Sequence, residues 1–123
     1  MKTLIYIGLG GAIGSILRYL TSIGIHKKVA ISFPLATFLT NGIGCLLMGL
    51  IVGYLTKNAL IESNLKWFLV TGFCGGYTTF SAFSLENIQL IQQHQWATAL
   101  IYSLGSVGIG IAAVYLGLWL SQN

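Results

Sequence analysis

The feature that most constrains this chain is the placement of its charge-free stretches. No Lys, Arg, Asp or Glu falls between Lys2 and Arg18, between Lys28 and Lys57, between Lys66 and Glu86, or after Glu86. A helix that spans the hydrocarbon of a bilayer needs about 20 mostly apolar residues. Four segments meet that need: Thr3–Ile25, Phe33–Leu55, Trp67–Leu90 and Trp96–Leu120. They leave only short connections, so residues 1–123 are expected to form one all-α membrane domain of four transmembrane helices. Composition points the same way. The chain is 55% hydrophobic and 7% charged, whereas a soluble domain carries about 25% charged residues. That is too little charge for a water-facing surface, and too much apolar character for a disordered chain.

Lys2 followed by an apolar run starts like a signal peptide. The run is long and ends on no A-x-A-like site, so a retained helix is expected. Cys45 and Cys74 both fall inside spans, where small apolar packing is the expected role. The net charge of +4 is spread along the chain. The basic residues read as interfacial anchors and not as a nucleic-acid surface.

Four spans put both termini on one side, with Lys2, Lys57 and Lys66. Lys27 and Lys28 fall on the other side, joined by Arg18 if it reaches that end of the first helix. Orientation follows an excess of Lys and Arg in cytoplasmic loops, and here there is almost none. Either one orientation wins weakly, or copies insert both ways in similar numbers. The second, simpler reading gives a dual-topology protein able to pair as an antiparallel homodimer, an intermolecular form of the inverted repeats of transporters.

The spans carry a pattern of small and polar residues. In the first, Gly10, Gly14 and Arg18 are four apart and share a face, a spacing that lets helices approach closely in lipid. The run from Gly8 to Gly14 lacks the third glycine and the following acid of a dinucleotide motif. Arg18 reads either as a membrane anchor or as a vestibule charge that concentrates anions. The second span begins after Pro34, as suits a first helical turn. Thr37, Asn41, Cys45, Gly49 and Gly53 then follow at intervals of four. An amide deep in hydrocarbon must be hydrogen-bonded, so Asn41 binds a neighbouring helix or faces a polar path.

The third segment is expected to break at its centre, Gly72-Phe-Cys-Gly-Gly-Tyr-Thr-Thr-Phe-Ser-Ala-Phe-Ser84, because paired glycines and Tyr-Thr-Thr make a poor helix interior. Non-helical backbone at membrane depth survives only when buried in protein or lining a cavity. Broken spans often supply ion sites; the plainer alternative is a packing kink. Beyond the break, Phe80 and Phe83 share a face, as do Ser81 and Ser84. Ring edges are positive and could favour an anion; the plainer alternative is that the rings pack the core. Glu86 is the only acid within a span, which makes it a candidate by default, unless it only reaches the interface. In the fourth span Trp96 and Trp119 mark the two interfaces, and Ser106 and Gly110 continue the small-residue theme.

No Ser/His/Asp set or metal-ligand cluster is present, and His26 and His94 are placed in loops, so no enzyme is expected. Four short helices are too few to enclose a pore alone, so an oligomer is expected. The polar inventory of Asn41, Thr37, Thr79, Ser81, Ser106, Phe80 and Phe83 contains donors and rings and no acidic ring for cations. A small anion fits it best.

Gly10-Gly11-Ala12-Ile13-Gly14 with Arg18-Tyr19, Thr40-Asn41, and the string from Gly72 to Ser84 with Glu86 resemble the bacterial CrcB/Fluc fluoride channel family over essentially the full chain. The resemblance implies a passive fluoride-selective channel that exports cytoplasmic fluoride across the bacterial inner (plasma) membrane. It implies an antiparallel homodimer with two pores and a structural sodium ion on the dimer axis, held by the carbonyls of Gly75 and Thr78 from both subunits. Phe80, Phe83 and Asn41 match the family's pore residues. Ser81 and Thr37 would belong to the polar pathway, and Arg18 to the matching first-helix position. Family members commonly read Thr where this chain has Ala82, so one hydroxyl of that pathway is absent. The alternative is a small four-helix proton-coupled multidrug exporter. That family places its key acid in the first helix, where this chain has Arg18 and no acid. A non-transporting assembly subunit leaves the Thr-Thr-Phe-Ser centre unexplained.

Overall fold

The computed structural model describes residues 1–29 and 31–123. All regular structure among them is helical. Three helices are long and apolar enough to cross a membrane: Lys2–His26, Leu35–Lys57 and Trp96–Gln122. Their ends follow local chemistry. Pro34 stands at the entry of the second helix, where its missing N–H leaves no helical bond unmade. That helix closes at Asn58 with Ala59 at φ 56°. The Leu60 N–H then bonds the Leu55 carbonyl at 2.8 Å and the Ala59 N–H bonds the Thr56 carbonyl at 3.2 Å, the paired C-terminal closure that a left-handed residue permits. His94, at φ 58°, closes Phe80–Gln92 in the same way. His26 is not in a loop as the sequence suggested. It ends the first helix, its Nδ1 2.8 Å from the Ser22 carbonyl oxygen.

Residues 64–92 form shorter pieces. Asn64–Lys66 leads into a π-helix over Trp67–Cys74, followed by Gly75–Tyr77. Thr78 and Thr79 are extended, and Phe80–Gln92 is α-helical. A π-turn takes i→i+5 bonds and widens the helix locally.

Glycines set which helices touch. A Cβ at Gly10 would collide with the Phe68 carbonyl oxygen and lie 2.9 Å from the Phe73 nitrogen. From the other side, a Cβ at Gly72 would lie 2.8 Å from the Ile7 carbonyl oxygen. The first helix and the π-wound stretch therefore meet backbone to backbone. The second and last helices do the same through Gly49 and Gly117: a Cβ at Gly117 would lie 2.7 Å from the Leu50 nitrogen. Where hydrocarbon surrounds the helices, such close packing is the main attraction between them. Phe80–Gln92 joins the second pair around Leu90, Ala99 and Tyr102, with Phe33, Phe38 and Phe83 packed alongside. The Phe33 and Tyr102 rings meet edge to face at 5.4 Å and 78°.

Gly10→Ala is expected to destabilise the protein by about 1–3 kcal/mol, because the extra methyl meets backbone that cannot swing away. Gly8→Ala, with nothing within 4 Å of the new methyl, is expected to leave stability near that of the parent. Thermal unfolding of the two purified variants in one detergent checks the contrast; equal midpoints would refute the packing argument.

Candidate functional site

A peptide group outside a helix has no water to bond at membrane depth. Thr78 (φ −89°, ψ 159°) and Thr79 (φ −151°, ψ 122°) lie outside a helix, and Asn41 on the second helix serves Thr79. Its Oδ1 accepts the Thr79 N–H at 2.8 Å and its Nδ2 donates to the Thr79 carbonyl at 3.0 Å. One amide thus satisfies both backbone groups of one extended residue. An amide nitrogen carries two protons, so one N–H of Asn41 is left over. Of the two roles left open for Asn41, the neighbouring element accounts for both ends of its amide, and the residue also lines the groove described next.

That groove has a volume of about 390 Å³ and is lined by Asn41, Thr78, Thr79, Phe80, Phe83 and Ser106, with Cys45 and Met48 among the apolar walls. The Phe80 and Phe83 rings lie 5.6 Å apart at 39°. Phe80 is 78% exposed, so one chain supplies one wall of the groove and leaves the other side open. The Ser106 hydroxyl is buried and has no hydrogen-bond partner. Ser106 and the two rings line the same groove.

A second cavity, of about 280 Å³, is polar. Ser15, Arg18, Tyr19, Ser22, Thr37, Thr40, Thr79, Ala82 and Glu86 line it. Thr79 belongs to both cavities and is the joint between them. Its Oγ1 caps the helix Phe80–Gln92 by accepting the Ala82 N–H at 3.2 Å, and lies 3.1 Å from the Ser81 hydroxyl. Ser81 reaches this junction through Thr79 and lines neither cavity; Gly75, one turn before Thr78, also lies outside both.

Glu86 is half-buried and turned toward two other helices. Thr37 Oγ1 donates to its Oε1 at 2.6 Å and Tyr102 OH donates to its Oε2 at 2.6 Å. Both donors come from other helices, and Tyr102 is 0% exposed. The Thr37 proton is used on this carboxylate, so Thr37 offers its oxygen, and not its proton, to the polar cavity. Asn87 extends the join: Ser103 Oγ donates to its Oδ1 at 2.8 Å. Tyr102 and the Asn87–Ser103 pair were not singled out from sequence, and Thr40 was noted only beside Asn41 in the family motif. A tyrosine inside an apolar run, four residues before Ser106, carries the signal, because a buried phenol seeks a partner for its OH.

Among the described residues no group of three His, Cys, Asp or Glu side chains is placed to hold a metal. The arrangement offers hydroxyl and amide donors, ring edges, one cationic side chain and one carboxylate, Glu86, whose two oxygens are taken by Thr37 and Tyr102.

The family described as CrcB-like protein, Camphor Resistance (CrcB), matches residues 5–118. A protein of Flavobacterium psychrophilum named fluoride-specific ion channel FluC is 55% identical over 123 residues, covering 100% of this chain and 99% of its own. A protein of the same name from Azobacteroides pseudotrichonymphae is 45% identical over 99% of this chain and 98% of its own. Another from Phocaeicola vulgatus is 43% identical over 99% of this chain and 100% of its own.

Removing one donor to Glu86 should leave a part-buried carboxylate oxygen bare. Tyr102→Phe is therefore expected to lower stability by about 1–3 kcal/mol. Thr37→Val should act similarly, and the double variant should fall short of the sum because the two share one carboxylate. Unfolding in denaturant measures all three; strict additivity would show the hydroxyls to be independent.

Proposed function

The chain belongs to the CrcB-like family, and we propose on that footing that it is a fluoride-specific ion channel. It is a multi-pass membrane protein and not an enzyme. The observation that carries the reading within the molecule is the convergence of Asn41, Phe80, Phe83 and the unpartnered Ser106 hydroxyl on one groove. Fluoride is small and strongly hydrated. A pore must replace its water shell with donors, yet bind weakly enough to let it go. The second Asn41 N–H, the Ser106 hydroxyl and the positive edges of two phenylalanines are donors of graded, modest strength. Arg18, on the wall of the polar cavity, raises the local anion concentration at that mouth. Thr79, shared by both cavities, and Ser81 beside it carry the ion between them; Thr37 lines the polar cavity with its proton held on Glu86. The ion moves passively, and the cell loses cytoplasmic fluoride through its inner membrane.

The finer architecture belongs to the same proposal. Residues 64–92 form a third span interrupted at Thr78 and Thr79, giving four spans with both termini on one side. Lys57 Nζ donates to the Gln122 carbonyl at 3.4 Å, which supports grouping the second helix's end with the C-terminus. The near-even division of Lys2, Lys57 and Lys66 against Lys27, Lys28 and Arg18 supports dual topology. An antiparallel homodimer would close the open wall beside Phe80 and give two pores. The carbonyls of Gly75 and Thr78 would hold a structural sodium ion at its centre. Extended backbone at Thr78, whose oxygen lies outside regular helical bonding, suits an oxygen-seeking cation. When bound, the ion ties together the two copies.

Liposomes loaded with fluoride and given a potassium ionophore should release fluoride to an electrode, while chloride-loaded vesicles should not. Absence of fluoride release would remove the reading. Phe80→Ile and Phe83→Ile should each slow release about tenfold, since a ring-edge contact is worth about 1 kcal/mol. Reporters fused after Asn123 should give signals on both sides of the membrane; a one-sided signal would rule out dual topology.

A further inference from the structure

Two carbonyls at the interruption lose the donors that a continuous helix gives them. In an α-helix the carbonyl of residue i accepts the N–H of residue i+4. The partner of Gly75 would be the Thr79 N–H, and that of Thr78 would be the Ala82 N–H. Both are diverted to side chains. The Thr79 N–H donates to Asn41 Oδ1 at 2.8 Å, and the Ala82 N–H donates to Thr79 Oγ1 at 3.2 Å. The Thr78 N–H does not compensate, because it bonds the Cys74 carbonyl at 3.0 Å, as the Thr78 hydroxyl also does. Each diverting oxygen is itself steadied: Asn41 by its second bond to the Thr79 carbonyl at 3.0 Å, and Thr79 Oγ1 by the Ser81 hydroxyl at 3.1 Å.

We propose that Asn41 and Thr79 are positioning residues for the cation site: by taking the N–H groups of Thr79 and Ala82, they free the Gly75 and Thr78 carbonyl oxygens for sodium. The inference rests on the sodium reading above. Neither side chain touches the ion. A carbonyl with no donor keeps its lone pairs for a hard cation, which accepts oxygen ligands. Restore the two N–H bonds and the same residues continue a helix, with those oxygens occupied. Asn41 also lines the groove of the phenylalanines, so a single amide links the ion path to the cation site, and a change at Asn41 acts on both.

The test is the sodium dependence of thermal unfolding of the purified protein in detergent, titrated with sodium chloride against N-methylglucamine chloride at constant ionic strength. The parent protein should gain stability as sodium rises. In Asn41→Ala and Thr79→Val the sodium concentration for half of that gain should rise about 10–100-fold, as for other residues that orient metal ligands. Thr79→Ser keeps the oxygen and should respond as the parent does. If Asn41→Ala does not fold, the contrast of Thr79→Val with Thr79→Ser decides. A parent protein indifferent to sodium overturns the sodium reading and this inference with it. A parent that responds, with Asn41→Ala and Thr79→Val responding at the same concentration, overturns this inference alone.

Discussion

The pairing of one side-chain amide with both backbone groups of Thr79 is the interaction on which the rest of the site depends. A break in a helix at membrane depth exposes peptide groups that lipid cannot solvate, each at several kcal/mol. Asn41 removes that penalty for Thr79 with two bonds of 2.8 and 3.0 Å. With the break secured, Phe80–Gln92 starts a new helix whose direction is independent of the preceding half. Its cap, the Thr79 hydroxyl, is supplied by the same residue. Phe80 and Phe83 can then face the groove while Glu86 faces Thr37 and Tyr102.

The glycine contacts supply the frame in which this break is held. The first helix lies backbone to backbone against Trp67–Cys74, and the second against the last helix. Such contacts fix distances between helices without occupying polar groups. The polar side chains are therefore left for lateral joins: Asn41 to Thr79, Glu86 to Thr37 and Tyr102, and Asn87 to Ser103. Apolar packing in lipid gives little discrimination between registers, whereas a misaligned carboxylate or amide is expensive.

Much of the chain was legible from its sequence, and what was not has a common cause. The long helices end where apolar runs meet Lys, His or Asn, so Thr3–Ile25 and Trp96–Leu120 come close to Lys2–His26 and Trp96–Gln122. The stripe from Thr37 to Gly53 was visible as a spacing of four, but not its division of labour: Thr37 and Asn41 serve Phe80–Gln92 and the residues before it, while Gly49 and Gly53 serve the last helix. The π-winding of Trp67–Cys74 leaves no trace in periodicity. Glu86 showed as an acid in an apolar run, yet its two donors stand 49 and 16 residues away. Local spacing reports which residues share a face; it does not report which foreign side chain meets that face.

The unpartnered Ser106 hydroxyl bears on the height of barriers along the path. A donor already bonded within the protein must give up that bond before it can greet an ion, and each such exchange raises a crest in the free-energy profile. Ser106 has nothing to give up. If the groove is the ion path proposed above, an arriving anion would gain the Ser106 bond without breaking another, which would lower the crest before that position.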